Sequence, residues 1–298
     1  ITWIDIEKPT RNEIIDVVEE YKIPKLAGEE LLTETLKSKV DYFEKDEVIY
    51  LVLHFPFFDK KEKIVVEKEI DFLVGKNFII TTHYQEIEPF NNFSNIFSDN
   101  SILDSNKIGD NPGFMLFYIL KNLYKTLDNE LDGIGVNLEK IESDIFDSKE
   151  RDAVNSISYV NRKVIRFKKA LSFHGDIIRS VEPIGADMFG SGFSFNMSMI
   201  LSEYNKVNST VAWYKEILND MRDTNDTLLT TKTNETIKTL TIMTFIMLPI
   251  TLITGVFGMN VVEELTLIQS VEDLFIVIGA MVLTGLTMFA YFKSKKWL

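Results

Sequence analysis

Two long runs without a formal charge lie near the C-terminal end of the chain. The first covers residues 239–262, which is 24 residues, and the second covers residues 274–292, which is 19 residues. At a helical rise of about 1.5 Å per residue, even the shorter run spans roughly 28 Å, close to the hydrocarbon thickness of a bilayer. Since uncharged runs of this length are rarely buried helices of a soluble protein, they predict two transmembrane helices.

Charged residues flank these runs asymmetrically. The basic ones are Lys232 and Lys238 before the first run, and Lys293, Lys295 and Lys296 after the second. The connecting loop has no Lys or Arg but contains the acids Glu263, Glu264, Glu272 and Asp273. The positive-inside rule therefore predicts a protein of the plasma or inner membrane with both termini in the cytoplasm and an outer loop that attracts cations.

Composition narrows the classes of function. The formal net charge is -13 and the sequence pI is about 4.8, which argues against nucleic acid as a partner because phosphates need a basic surface. The chain has no cysteine, so it has neither a disulfide framework nor a thiolate metal site. Its three histidines are scattered, and no nucleophile–base set or phosphate-binding loop is present, so we do not expect an enzyme.

The first 90 residues alternate between strand and helix patterns. Thr10 and Glu13 form a capping box, which predicts that a helix begins there and continues to about Tyr21. The other predicted elements are a strand at 2–6, a helix at 29–36, a strand at 48–55, and a hairpin with strands 69–74 and 77–82 around Gly75 and Lys76. These elements predict an α/β unit.

From residue 113 onward the apolar spacing is helical. It predicts helices at 113–147 and 148–181, a glycine-rich break at 185–192, and a helix of about 64 residues from 194 to 257. A helix of this length needs neighbours along its whole course. A stalk that is continuous with the first membrane span and bundled with copies of itself would have them.

One face of the first span has a heptad-like spacing of small, hydroxyl and apolar residues. We call this face the seam; it consists of Ile237, Thr241, Thr244, Leu248, Thr251 and Gly255. The seam alone fits two interpretations, close helix packing or the lining of a pore. Pro249 is expected to kink the helix, and the absence of ionisable residues in the span argues against a proton relay. Two spans do not enclose an aqueous path, so a pore requires an oligomer.

Several segments together carry a family resemblance. They are Gly258-Met259-Asn260 at the outer end of the first span, Asn234-Glu235-Thr236-Ile237-Lys238 before it, the tail at 293–298, and the N-terminal segments at 2–6, 50–54 and 75–81. With Pro249, Thr251 and Gly255 at their spacing, this chain resembles the CorA family of magnesium transport proteins over essentially its whole length.

The resemblance implies an α+β membrane protein that assembles as a funnel-shaped homopentamer. It has an N-terminal α/β/α cytoplasmic domain and a very long stalk helix that continues into the first of two C-terminal transmembrane helices. The implied parts are an α/β domain at 1–110, a helical part at 111–190, a stalk at 191–238, a pore-lining span at 239–259, an outer loop at 260–273, a second span at 274–292 and a basic tail at 293–298.

The resemblance also implies roles for particular residues. The pore mouth is assigned to Gly258, Met259 and Asn260, and the pore lining to Asn234, Ile237, Leu240, Thr241, Thr244, Leu248, Thr251 and Gly255. Regulatory Mg²⁺ is assigned to Glu29, Glu30, Glu203 and Asp223. The chain departs from the family pattern at Met199, where an acid is expected, and at Val261-Val262-Glu263-Glu264 in the loop.

The expected function is uptake of Mg²⁺ down the membrane potential, with feedback closure by cytoplasmic Mg²⁺. Mg²⁺ prefers oxygen ligands and gives up its waters reluctantly, which suits a mouth made of Asn260 amides. Two alternatives stay open at this point. One is a zinc, cobalt or nickel transporter of the same superfamily, and the other is a membrane-anchored metal sensor that does not conduct.

Overall fold

The computed structural model describes residues 1–59, 62, 64–87, 89–90, 111–258 and 271–297. Within this part, the chain forms two compact units, residues 1–222 and 223–298, which are described separately.

A five-stranded mixed sheet forms the centre of the first unit. Its strands are β1 (Thr2–Glu7), β2 (Lys39–Phe43), β3 (Val48–Asp59), β4 (Ile64–Val74) and β5 (Phe78–His83). Their order is β1-β5-β4-β3-β2, with β1 parallel to β5 and all other pairs antiparallel. The predicted hairpin around Gly75 and Lys76 is the β4–β5 pair. β-branched and aromatic residues dominate β3 and β5, and most of them are buried.

Helices α1 (Arg11–Tyr21) and α2 (Lys25–Glu30) cover one face of this sheet. The capping box is confirmed, because the Thr10 side chain accepts a hydrogen bond from the Glu13 N–H and the Glu13 carboxylate accepts one from the Thr10 N–H. The predicted helix at 29–36 was wrong, since α2 ends at Glu30. Leu31 is buried, but Leu36 is 99% exposed and does not continue an apolar helical face.

Three helices and the first part of a fourth complete this unit. They are α3 (Pro112–Phe146), α4 (Glu150–Leu171), α5 (His174–Phe189) and α6, which begins at Ser191. The predicted α3 is confirmed: every apolar residue of its repeat is buried, from Met115 to Ile145. The single helix predicted at 148–181 was wrong. The glycine-rich break predicted at 185–192 is shorter in the structure, where Gly190 alone separates α5 from α6. The φ of Gly190 is 89°, which favours glycine.

His174 explains why the chain breaks between α4 and α5. Its imidazole is fully buried, and its Nε2–H donates to the carbonyl oxygen of His54 at 3.1 Å. Its Nδ1 accepts a hydrogen bond from the Tyr124 hydroxyl at 2.8 Å. These bonds link α5 to β3 and α3. We infer that this satisfied buried network outweighs the local helical pattern that the sequence shows.

The second unit contains the C-terminal part of α6, from Asp223 onward, and one further helix. Helix α6 runs without interruption from Ser191 to Phe257, which is 67 residues or about 100 Å, and α7 covers Val271–Ser294. Both contain an 18-residue window of mean hydropathy 2.1, which makes them long and apolar enough to cross a membrane. Within the chain these windows are 6% and 0% buried, so neither is the core helix of a soluble fold.

Candidate functional site

The apolar part of α6 has one face turned toward α7. On this face Ile242 is only 3% exposed, and the ring of Phe245 lies 6.3 Å from that of Phe292. Ile250 also lies against α7, because a Cβ built at Gly285 would be in ordinary van der Waals contact with Ile250 Cδ1, at 3.6 Å. The face of α6 that carries Ile242, Phe245 and Ile250 therefore packs on α7.

The opposite face of α6 forms an open groove. At 100° per residue, the seam is centred roughly half a turn from Ile242. The groove has a volume of about 830 Å³ and is lined by Met243, Thr244, Met247, Leu248, Thr251, Leu252, Gly255 and Val256. Four of these are seam residues, and Leu248 is 60% exposed. The heptad spacing indicates only the centre of this face, so it does not predict the other lining residues, Met243, Met247, Leu252 and Val256.

The seam threonines all bind to their own helix. The hydroxyls of Thr241, Thr244 and Thr251 donate to the carbonyl oxygens four residues earlier, at 2.7, 2.9 and 2.9 Å. Each hydroxyl hydrogen is therefore used, and the oxygen lone pairs remain available as acceptors. Such a surface suits a ligand that presents O–H donors, such as the water shell of a cation.

The structure places all eight predicted pore-lining residues on α6. Apart from Thr241, which is half-buried, they are exposed: Asn234, Ile237, Leu240, Thr244, Leu248, Thr251 and Gly255. At the outer end, the Gly258 N–H donates to the Thr254 carbonyl at 2.9 Å. Met259, Asn260, Glu263 and Glu264 lie outside the described residues, as does the side chain of Asp273. Glu272, in the first turn of α7, is exposed.

The C-terminal end of α7 has a C-cap of the Schellman type. Lys296 has a left-handed φ of 57°, and the Trp297 N–H donates to the Phe292 carbonyl at 3.0 Å. The turn stacks the Trp297 ring 5.9 Å from that of Phe292. An aromatic cluster beside Lys293, Lys295 and Lys296 is typical of a membrane–water interface.

The four residues assigned to regulatory metal lie on two helices, α2 and α6. Glu29 is exposed at the end of α2, and the neighbouring Glu30 forms an ion pair with Lys39. On α6, Glu203 is half-buried and Asp223 is exposed. Within the described residues, no three His, Asp or Glu side chains come together in a way that would hold a metal ion.

These features together define the class of the protein. Within the described residues, the chain has an α/β unit, a helix that runs from it into an apolar span, and a face of small and hydroxyl residues that α7 does not cover. These are the features of a membrane transport protein with two candidate spans. The family described as CorA-like Mg²⁺ transporter protein matches residues 1–295. The chain therefore belongs to the CorA-like Mg²⁺ transporter family.

Individual relatives are distant in sequence, but the similarity covers essentially all of this chain and most of each relative. The cobalt/magnesium transport protein CorA of Thermotoga maritima is 22% identical, with 100% of this chain and 83% of the relative covered. The magnesium transport protein CorA of Campylobacter jejuni is 25% identical, with 100% and 91% covered. The complete structure of the CorA magnesium transporter from Methanocaldococcus jannaschii matches with a TM-score of 0.83 at 20% identity, over 99% of this chain and 91% of that chain.

These findings confirm the family and the fold class. The N-terminal α/β domain, the long helix and the two C-terminal spans form a membrane protein of a divalent-cation transporter family.

Proposed function

We propose that this chain is the subunit of a homopentameric channel that conducts Mg²⁺ into the cell and closes when cytoplasmic Mg²⁺ rises. The observation that carries the proposal is the open groove on α6, which faces away from α7 and contains the seam. The relatives are named as magnesium or cobalt/magnesium transport proteins, and these names support a divalent cation as the transported ion.

An oligomer accounts for the exposure of this groove. Its lining is mostly apolar, and α7 covers only the opposite face of α6. Small residues at the seam allow helices of neighbouring copies to approach closely. Copies arranged around an axis would cover the flanks of the groove and leave the seam at the centre.

The chemistry of the seam suits a hydrated divalent cation. Mg²⁺ keeps several waters, and these present O–H donors outward. Thr244 and Thr251 offer acceptor oxygens because their own hydrogens are engaged in the helix. Asn260 would add amide oxygens at the mouth. No carboxylate lies within the span, so the ion would be guided without being trapped.

Gating, orientation and feedback can each be assigned to particular residues of the chain. Rings of Ile237, Leu240 and Leu248 would close the path by excluding water. By the positive-inside rule, the lysines at the Trp297 end of α7 support a cytoplasmic location for that end. Feedback would come from Mg²⁺ held by Glu29, Glu30, Glu203 and Asp223 between neighbouring copies, which would stabilise the closed state.

The test is flux into proteoliposomes held at a negative internal potential, with internal Mg²⁺ varied. We expect Mg²⁺ entry that slows as internal Mg²⁺ rises, and loss of entry in Asn260→Ala with the assembly intact. Parallel measurements with Co²⁺ and Zn²⁺ establish ion preference. Zn²⁺ entry faster than Mg²⁺ entry, no flux for any ion, or a monomeric particle would contradict the proposal.

A matched pair of threonines tests whether the seam faces the ion path. Thr251 lies in the groove, whereas the Thr254 hydroxyl lies 4.0 Å from Met281 of α7, and both hydroxyls bind the helix in the same way. Replacing either with valine removes one hydroxyl at nearly constant volume. We expect Thr251→Val to reduce Mg²⁺ flux by about fivefold, through loss of roughly 1 kcal/mol per hydrogen bond, and Thr254→Val to change it little. Equal effects of the two variants would remove the seam from the ion path.

A further inference from the structure

A buried polar cluster lies on the sheet face that packs against α1 and α2. It consists of Glu69 and Asp71 on β4, Tyr50 and His54 on β3, and Thr82 on β5. The strand register pairs His54 with Glu69 and Thr82 with Asp71. Since alternate residues of a strand share a face, the two carboxyl groups point the same way. They therefore occupy one small buried space.

The two carboxyl groups have very different surroundings. Glu69 accepts hydrogen bonds from the Thr35 N–H at 2.7 Å and the Thr35 hydroxyl at 3.1 Å, and its Oε2 lies 3.3 Å from His54 Nε2. Among the described residues, Asp71 accepts from the Thr82 hydroxyl alone, at 3.0 Å on Oδ2. Its Oδ1 is buried and has no hydrogen-bond partner in this part of the chain. Both oxygens of Glu69 therefore have hydrogen-bond donors, whereas Asp71 has a donor on Oδ2 alone.

A proton on Asp71 accounts for its unpartnered oxygen. Burial, and then the charge of Glu69, raise the pKa of Asp71 well above its usual range. The Asp71 carboxyl lies within hydrogen-bonding reach of Glu69, but two carboxylates do not form a hydrogen bond without a proton between them. A proton on Oδ1 would be donated to Glu69 and would remove one charge from the buried space.

Other titratable and charged groups also face the pair. Burial lowers the pKa of His54, but its hydrogen bonds to Glu69 and to the Thr35 carbonyl, with the charges of Glu69 and Glu67, raise the pKa above its ordinary value overall. Lys39 pairs with Glu30 and Asp41 beside the Tyr50 ring. Burial raises the pKa of Tyr50 and of Tyr84, so both stay neutral.

We propose that Asp71 and Glu69 bind one proton between them at neutral pH and thereby hold residues 31–38 on the sheet. This segment joins α2 to β2 without regular structure. Thr35 is attached to Glu69, Ser38 lies 3.0 Å from His54 Nδ1, and the Leu31 carbonyl accepts from the Tyr84 hydroxyl at 3.2 Å. Loss of the proton would place two negative charges together beneath the segment and loosen it.

The sign of the pH dependence follows from the raised pKa of Asp71. In the unfolded chain this carboxyl titrates near pH 4. The stabilising contribution of the proton is therefore complete below about pH 4 and is lost as the pH rises through the raised folded-state pKa.

Asp71→Asn tests the proton directly, because the amide donates to Glu69 and accepts from Thr82 without titrating. In the full chain, we expect the wild-type Tm to fall as the pH rises from about 4 through the raised folded-state pKa of Asp71, and the Tm of Asp71→Asn to fall clearly less. Hydrogen exchange in residues 31–38 should become faster at high pH in the wild type than in the variant at the same pH. Asp46→Asn, in an exposed turn, is the matched control and should behave as wild type.

Infrared spectroscopy supplies an independent measurement. We expect the C=O stretch of a protonated carboxyl at neutral pH in the wild type and in Asp46→Asn, and its absence in Asp71→Asn. In Glu69→Gln, which removes the neighbouring charge, the band should disappear at lower pH than in the wild type. A wild type without the band, or equal pH slopes in the wild type and Asp71→Asn, would overturn the proposal. Loss of the band on adding Mg²⁺ at constant pH would also overturn it, because a cation would then occupy the site.

Discussion

Replacing Gly255 with leucine is expected to reduce Mg²⁺ flux by more than about tenfold, because a ring of bulky apolar side chains would narrow and dry the path at the seam. Within one chain there is room for this change. A Cβ at Gly255 would meet no atom within 4 Å, so the fold of the subunit should not resist it. The measurement is flux into proteoliposomes at equal protein density, with oligomeric state determined in parallel.

Gly279 provides the matched control for this substitution. It lies in the middle of α7, and a Cβ there would also meet no atom within 4 Å. Gly279→Leu adds the same volume to the other span and should leave flux within about twofold, because α7 packs outside the proposed pore. An intact oligomer of Gly255→Leu with wild-type flux would contradict a pore along the seam.

The second large effect is expected at His174. His174→Phe keeps a ring near Phe55, whose centroid lies 5.0 Å away, but leaves the Tyr124 hydroxyl and the His54 carbonyl without their partner. Burying two unsatisfied polar groups should lower the free energy of unfolding by about 2–4 kcal/mol. Thermal unfolding of the full chain in detergent measures this. Asp176→Asn, an exposed change two residues away, should shift stability by less than about 0.5 kcal/mol.

The same histidine makes the fold sensitive to acid. Burial lowers the pKa of His174 to about 3, so the ring stays neutral in the folded protein. The unfolded chain binds this proton near pH 6.5, so stability falls as the pH drops from about 6.5 toward 3. The loss approaches roughly 4 kcal/mol at the lower end. His174→Phe should lack this component, and an unchanged acid slope in the variant would show that another group is responsible.

Local patterns in the sequence predicted much of the fold correctly. The two apolar runs, the capping box at Thr10 and the repeat of α3 each depend on residues close together in the chain. Such patterns predict secondary structure independently of the rest of the protein, because helix and strand periodicity and capping are local properties. The predicted helix at 29–36 was wrong because it depended on Leu36 packing on a core that it does not reach.

The candidate site, like the fold, could be predicted only in part from the sequence. The spacing of Thr244, Leu248 and Thr251 was visible in the sequence, but packing and pore lining require the same residue types there. Only the structure distinguishes the two faces of α6, because α7 covers Ile242 and leaves the seam open. Which face of a helix is free depends on where another helix lies, and spacing along one segment does not contain that information.

Sequence alone therefore determined the two spans, the α/β unit before them and the face of α6 that carries small and hydroxyl residues. The tertiary structure alone decided where α4 gives way to α5 and which polar groups are buried together. His174 with Tyr124 and His54, and Asp71 with Glu69 and Thr35, come from segments far apart in the chain. Their protonation depends on burial and on these distant partners, which exist only once the chain has folded.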